Sequence, residues 1–373
     1  MKTDYRKFRM GKNSTSYTTT LPIDWVKKYA AKSDSIRVDQ YGKTLFINPV
    51  KQEKDEKPLK IIIGKNGEKV YYSIISAYLQ NYDKIILKEE VHNEPLVNKL
   101  KEIGSKLPGA HFEPEKEEGT YQITFDNMIK HVPQLLDEMF EEYRILYAKN
   151  IEMFHSSPKI EKIDVKSHFV SLKEESVDRN FFLLKRLFTS VFENILKDPK
   201  ILVDTGLMNV GDDFRYSVVS KSVGYFSIAN SLERLTDLQV DIFKNLKKII
   251  IDNEDKSCLV DEETDYGFEK FYNATSSMVE DSYNSKSIME KGPKMYEGFQ
   301  SLLKVLKAES NKDDEIKFRE GYITKENRET ILKLAENSSD LTYLEGQIWG
   351  STGIATNIAE AWINMSDLSR INT

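Results

Sequence analysis

The sequence predicts a mainly α chain in which two consecutive three-helix bundles follow a small β-domain and a small α/β domain. Three observations predict this. Helical apolar periodicity runs almost unbroken from Ile129 to the end. The first fifty residues carry short strand patterns punctuated by turn residues, and the stretch between alternates strand and helix patterns. The expected boundaries are 1–50, 59–126, 129–252 and 261–368.

In the first segment Tyr5–Met10 and Ser16–Thr20 read as strands around a Gly11–Ser14 turn. Pro22 suits an early position in the short helix that follows. Ser35–Asp39 and Thr44–Ile47 form a second strand pair around Tyr41-Gly42-Lys43, and Pro49 ends it. Lys51 to Pro58 is charged, lacks an apolar period and reads as a linker. The next segment has the order β-α-β-α-β-β. Its first helix, Val70–Asn81, turns Ile74, Ile75, Tyr78 and Leu79 inward, and its last strands join through Glu118-Gly119. No glycine-rich phosphate loop occurs in it. The predicted helices beyond it are 129–155, 165–197, 214–251, 264–286, 293–309 and 325–367, with Pro199, Gly206 and Gly211 separating the second from the third. A low-identity internal match aligns Leu232–Ile242 with Ile348–Ile358, 116 residues later.

Charge is unevenly placed. The chain of 373 residues carries a net charge of −6. Residues 1–32 hold eight bases and two acids, so that segment is +6 and the remainder −12. Such a divide is the footprint of one polyanion-binding end on an acidic body. Arg6, Lys7, Arg9 and Lys12 are the candidate contacts to double-stranded DNA, whose phosphates dominate affinity. The alternative role for these bases is a charged edge strand that discourages aggregation. About fifty residues bury little alone, so this segment is expected to share a core within a homodimer. The apolar runs are far short of a membrane span, and neither a membrane-inserted segment nor a secretory leader is expected. The single cysteine, Cys258, fits a reducing cytoplasm and an inert side chain.

Two acidic motifs stand on consecutive long helices: Glu174-x-x-x-Asp178 and Glu233-x-x-x-Asp237. Residues four apart share a helix face. With 60 acids in the chain such spacing is common, and position on the helix says more. The line Val219, Val223, Phe226, Asn230, Glu233, Asp237, Val240 begins and ends apolar, and Glu174, Asp178, Phe181, Lys185, Phe188, Phe192 behaves similarly. Carboxylates facing one another in a bundle must be protonated, paired with a base or hold a cation. Two arrangements satisfy this: ion pairs to Arg179 and Arg234, or a divalent or iron-type metal ion. Glu175 and Asp241 can join either one. The phenylalanines 181, 182, 188 and 192 are expected in the core. Five scattered histidines offer no catalytic triad, and oxygen-activating di-metal bundles use Glu-x-x-His ligands that these helices lack, so no enzyme is predicted.

At these motifs the chain resembles two families. Tyr17-Thr-Thr-Thr-Leu-Pro-Ile-Asp-Trp-Val-Lys-Lys, followed by Ser-Asp-Ser-Ile-Arg-Val, resembles the AbrB/SpoVT DNA-binding domains, although Lys32-Ser33-Asp34 lacks the usual turn glycine. Ser231-Leu-Glu-Arg-Leu-Thr-Asp-Leu and Glu175-Ser-Val-Asp-Arg-Asn-Phe-Phe-Leu-Leu-Lys-Arg resemble PhoU signatures, and Asn357-Ile-Ala-Glu resembles the end of the same signature. The combination is similar to archaeal PhoU-like phosphate uptake regulators with an AbrB-type domain. It implies a swapped-hairpin β-domain, a DNA-binding role in phosphate homeostasis and a metal cluster at Glu174, Asp178, Glu233 and Asp237. Trp349 and Gly353 stand where the second bundle's acids belong, so at most one metal site is expected. The alternative role is an adaptor that contacts a phosphate transporter or a sensor kinase, with the N-terminal domain serving dimerisation.

Overall fold

The computed structural model describes residues 9–10, 17–30, 35–41, 44–49, 58–63, 67–89, 94–115, 117–155, 160–195, 200–208, 214–252, 268–285 and 339–365. Strands β1 (Arg9–Met10) and β2 (Tyr17–Thr18) pair antiparallel, with Arg9 opposite Thr18. Arg6, Lys7 and Lys12 lie outside the described residues. Pro22 caps the short helix α1 (Ile23–Trp25), which continues as a π-helical turn over Val26–Ala30. Strands β3 (Ile36–Tyr41) and β4 (Thr44–Pro49) form an antiparallel hairpin that runs further than expected, because Pro49 still pairs with Ile36.

The following six elements keep the order read from the sequence: β5 (Leu59–Ile63), α2 (Gly67–Leu79), β6 (Lys84–Glu89), α3 (Glu94–Lys106), β7 (Ala110–Pro114) and β8 (Thr120–Phe125). The sheet order is β5-β6-β8-β7, with β5 and β6 parallel and the other pairs antiparallel. Ile85 and Leu87 alternate into the core from β6, and Val70, Ile74, Ala77 and Tyr78 meet them from α2. Gly119, at φ +71°, makes the β7–β8 turn that a side chain would strain.

Helices α4 (Val132–His155), α5 (Ile160–Asn194), α6 (Lys200–Asp204), α7 (Phe214–Asp252), α8 (Phe268–Asn284) and α9 (Ser339–Met365) build the body. The expected helix at 293–309 and the start of the one at 325 lie outside the described residues, as does Cys258. Helix α7 packs against α4, α5 and α9, and α8 packs against α9. One apolar core runs through all five long helices: Phe140 stacks on Tyr283 at 3.9 Å between ring centres, and Trp362 meets Tyr225 and Tyr283 edge-on. Gly206, at φ +72°, ends α6, and the Thr205 carbonyl accepts the Val132 N–H at the start of α4. No helix among the described residues is long and apolar enough to cross a membrane.

The α/β unit is fastened to α5 by a buried arginine. Arg186 is 5% exposed and donates from Nη1 to the carbonyls of Tyr78 (2.8 Å) and Tyr82 (3.0 Å), where α2 ends. Its Nη2 lies 3.6 Å from Asp83 Oδ1, and its guanidinium lies against the Tyr78 and Phe125 rings. The Tyr78 carbonyl lies in the last turn of α2 and also accepts the Asn81 N–H at 3.1 Å, while the Tyr82 carbonyl belongs to the turn that follows the helix. An Arg186→Leu substitution should therefore cost about 2–4 kcal/mol in urea unfolding, more than leucine's burial returns.

Candidate metal centre

Helix α5 places Glu174 and Asp178 one turn apart, and α7 places Glu233 and Asp237 likewise. Carboxylate oxygens of Asp178, Glu233 and Asp237 all lie within 4.8 Å of one another. Ligand oxygens about 2.1–2.5 Å from one ion are separated by no more than about 5 Å, so the trio fits a single cation. Glu174 stands outside the trio and adds its charge from one turn away.

All four carboxyls hold their protons more tightly than usual. Burial is the largest cause in each case. For Asp178, the charges of Asp237 and Glu174 add to it, and its pKa is pushed up to about 6. Asp237 and Asp178 act on Glu233 in the same sense. Asp241 acts on Glu174 and Asp237, while Lys244 partly opposes both shifts. Lys185 opposes the shift of Glu233 but spends its ammonium 4.0 Å above the Phe181 ring.

The arginine pairing allowed by the sequence is not formed among the described residues. Arg179 turns into a cavity of about 110 Å³ between α5 and the α/β unit, beside Asp178, Lys106 and Tyr71. Arg234 lines the groove between α7 and α9, from where its charge still opposes the shift of Glu233 without forming an ion pair with it. The acids are left to a proton or a cation.

The apolar line expected to carry the acids into the core is corrected. Val223 and Phe226 are 63% and 40% exposed, while the buried stripe of α7 is Tyr225, Ile228, Leu232, Leu235, Gln239 and Ile242. The acids therefore stand at the rim of the α5/α7 seam, with Glu174, Asp178 and Glu233 half-buried and Asp237 exposed. Of the four phenylalanines, 181 and 188 are core and touch Phe226, Phe182 packs partly against the α/β unit, and Phe192 is 56% exposed. The border that Lys106 and Tyr71 give to Asp178 was not foreseen, because the periodicity of α2 and α3 does not tell which helix of another domain they meet.

Compared with protein-family models, with curated proteins and with solved structures, the chain matches none.

The titration has a definite sign. Asp178 binds its proton more tightly folded than unfolded, so the site's contribution to stability falls as pH rises from about 4 to about 6. Above that range the ionised cluster is a standing penalty. Asp178→Asn should raise the melting temperature at pH 7 by roughly 1–2 °C, the response to about 1 kcal/mol in a chain of this size, with no gain near pH 4. Magnesium or manganese should raise the melting temperature of the parent at pH 7 and leave the variant nearly unchanged.

Proposed function

We propose that this chain is a dimeric DNA-binding transcriptional regulator of phosphate uptake, with no catalytic activity, whose helical body takes up a divalent or iron-type cation. The observation that carries the body's part is the Asp178, Glu233 and Asp237 trio, desolvated and unpaired with any described arginine. Its all-oxygen donor set suits hard cations, with water completing the coordination shell. The phosphate connection rests on the resemblance of the motifs around these acids to PhoU.

The DNA-binding role rests on charge and on apolar exposure. The first 32 residues are +6 on a chain of −6. Ile23, Ile36, Val38 and Leu45 are exposed within a β-unit too small to bury them alone. A second copy supplies the missing core and doubles the basic surface, with Arg9 beside Thr18 at one edge of the paired strands. Duplex phosphates are the matching polyanion.

A second reading has its own support. Val223, Phe226 and Phe192 are exposed on α7 and α5, and exposed apolar side chains of this kind suit protein contact. This is the adaptor role, acting on a phosphate transporter or a sensor kinase.

Gel-shift titrations separate the two. The regulator binds duplex DNA with affinity that falls steeply with salt, and deletion of residues 1–50 abolishes the shift. Undiminished binding by the shortened chain contradicts this, and no shift by the full chain, with capture of a transporter, selects the adaptor. Metal analysis addresses the body separately: Glu233→Ala/Asp237→Ala should lose the bound metal, and unchanged content places the ion elsewhere.

A further inference from the structure

The second face of α7 carries a different site. Helices α7 and α9 run antiparallel, with Gly224 against Met365, Leu238 against Gly350 and Asn245 donating to Gln347. Between them lies an open groove of about 460 Å³, within the range of small-ligand sites. Arg234 and Glu360 are its charged residues among those described, and the charge of Arg234 also acts on Glu233 next to it. Ser231 also lines it. This side chain is 4% exposed and forms part of the groove floor. Among the described residues no aromatic side chain lines the groove.

The spacing selects the ligand. The α7/α9 register sets Glu360 alongside Ile228, six residues from Arg234, or about 9 Å of helix rise. Asn230 and Asn357 project between these charges, and each amide offers a donor and an acceptor that match a peptide C=O and N–H. Three extended residues span about 10 Å. We propose that this groove binds a short free peptide of about three residues, its terminal carboxylate on Arg234, its ammonium on Glu360 and its main chain on the two asparagines. A guanidinium takes a carboxylate through two parallel hydrogen bonds. The groove lies on the other flank of α7 from the carboxylate trio, with Arg234 next to Glu233 in the chain.

Calorimetric titration of the full chain with trialanine tests this, with N-acetyl-trialanine amide as the blocked control. Saturable binding in about the millimolar range is expected, with no binding of the blocked peptide. Arg234→Met and Glu360→Gln, both at exposed positions, should each weaken binding about tenfold while leaving thermal unfolding in place. Three results overturn the proposal: no saturable binding of trialanine, equal binding by both variants, or equal binding of the blocked peptide. The last would mean that an internal stretch of another protein is the true occupant.

Discussion

Helix α7 has to meet three neighbours at once, and most of the molecule follows from how it does so. Its wholly buried stripe goes to the shared core with α4 and α9. That leaves two flanks, one toward α5 and one toward α9, each only half covered. On the first flank carboxylates from both helices converge. On the second, close approach is possible because Gly224 has no side chain where Met365 crosses: a Cβ there would meet the Met365 side chain at 2.1 Å. One helix therefore separates an acidic seam from a polar groove, and adjacent residues Glu233 and Arg234 serve opposite sides.

The acidic seam persists because both helices are held by contacts elsewhere. Arg186 ties α5 to the end of α2, and Asn81 adds a hydrogen bond to Glu193 further along α5. On the other side Asn150 of α4 donates to the Gln239 carbonyl of α7 and to the Tyr272 hydroxyl of α8, within a buried polar network. Such networks fix helix register, since a shift of one residue would leave several buried groups unpartnered. Helices pinned at these points cannot separate to relieve the repulsion between their carboxylates. The fold stores this repulsion, and a proton or a cation relieves it.

Much of this was legible in the sequence, for identifiable reasons. The β-α-β-α-β-β order could be read because strand alternation and helix periodicity switch cleanly at turn residues such as Gly119. The pairing of Asp178 with Glu233 and Asp237 could be read because four-residue spacing and helix position together constrain the face. Which edge of that face is open could not. The line through Val223 and Phe226 lies beside the buried stripe through Tyr225 and Ile228, and periodicity alone does not choose between neighbouring apolar lines. The directions of Arg179 and Arg234 were equally hidden, because they depend on the α/β unit and on α9, partners distant in sequence. The role of Arg186 was hidden too, because it is fixed by a helix end about a hundred residues away.

The central claim concerns one point in space, between Asp178, Glu233 and Asp237, and a diffraction measurement can address it directly. Crystals soaked in manganese and measured at the manganese absorption edge should show an anomalous peak bounded by these three carboxylates. Absence of a peak there, or a peak held only by other acids, would contradict a cation site at the α5/α7 seam.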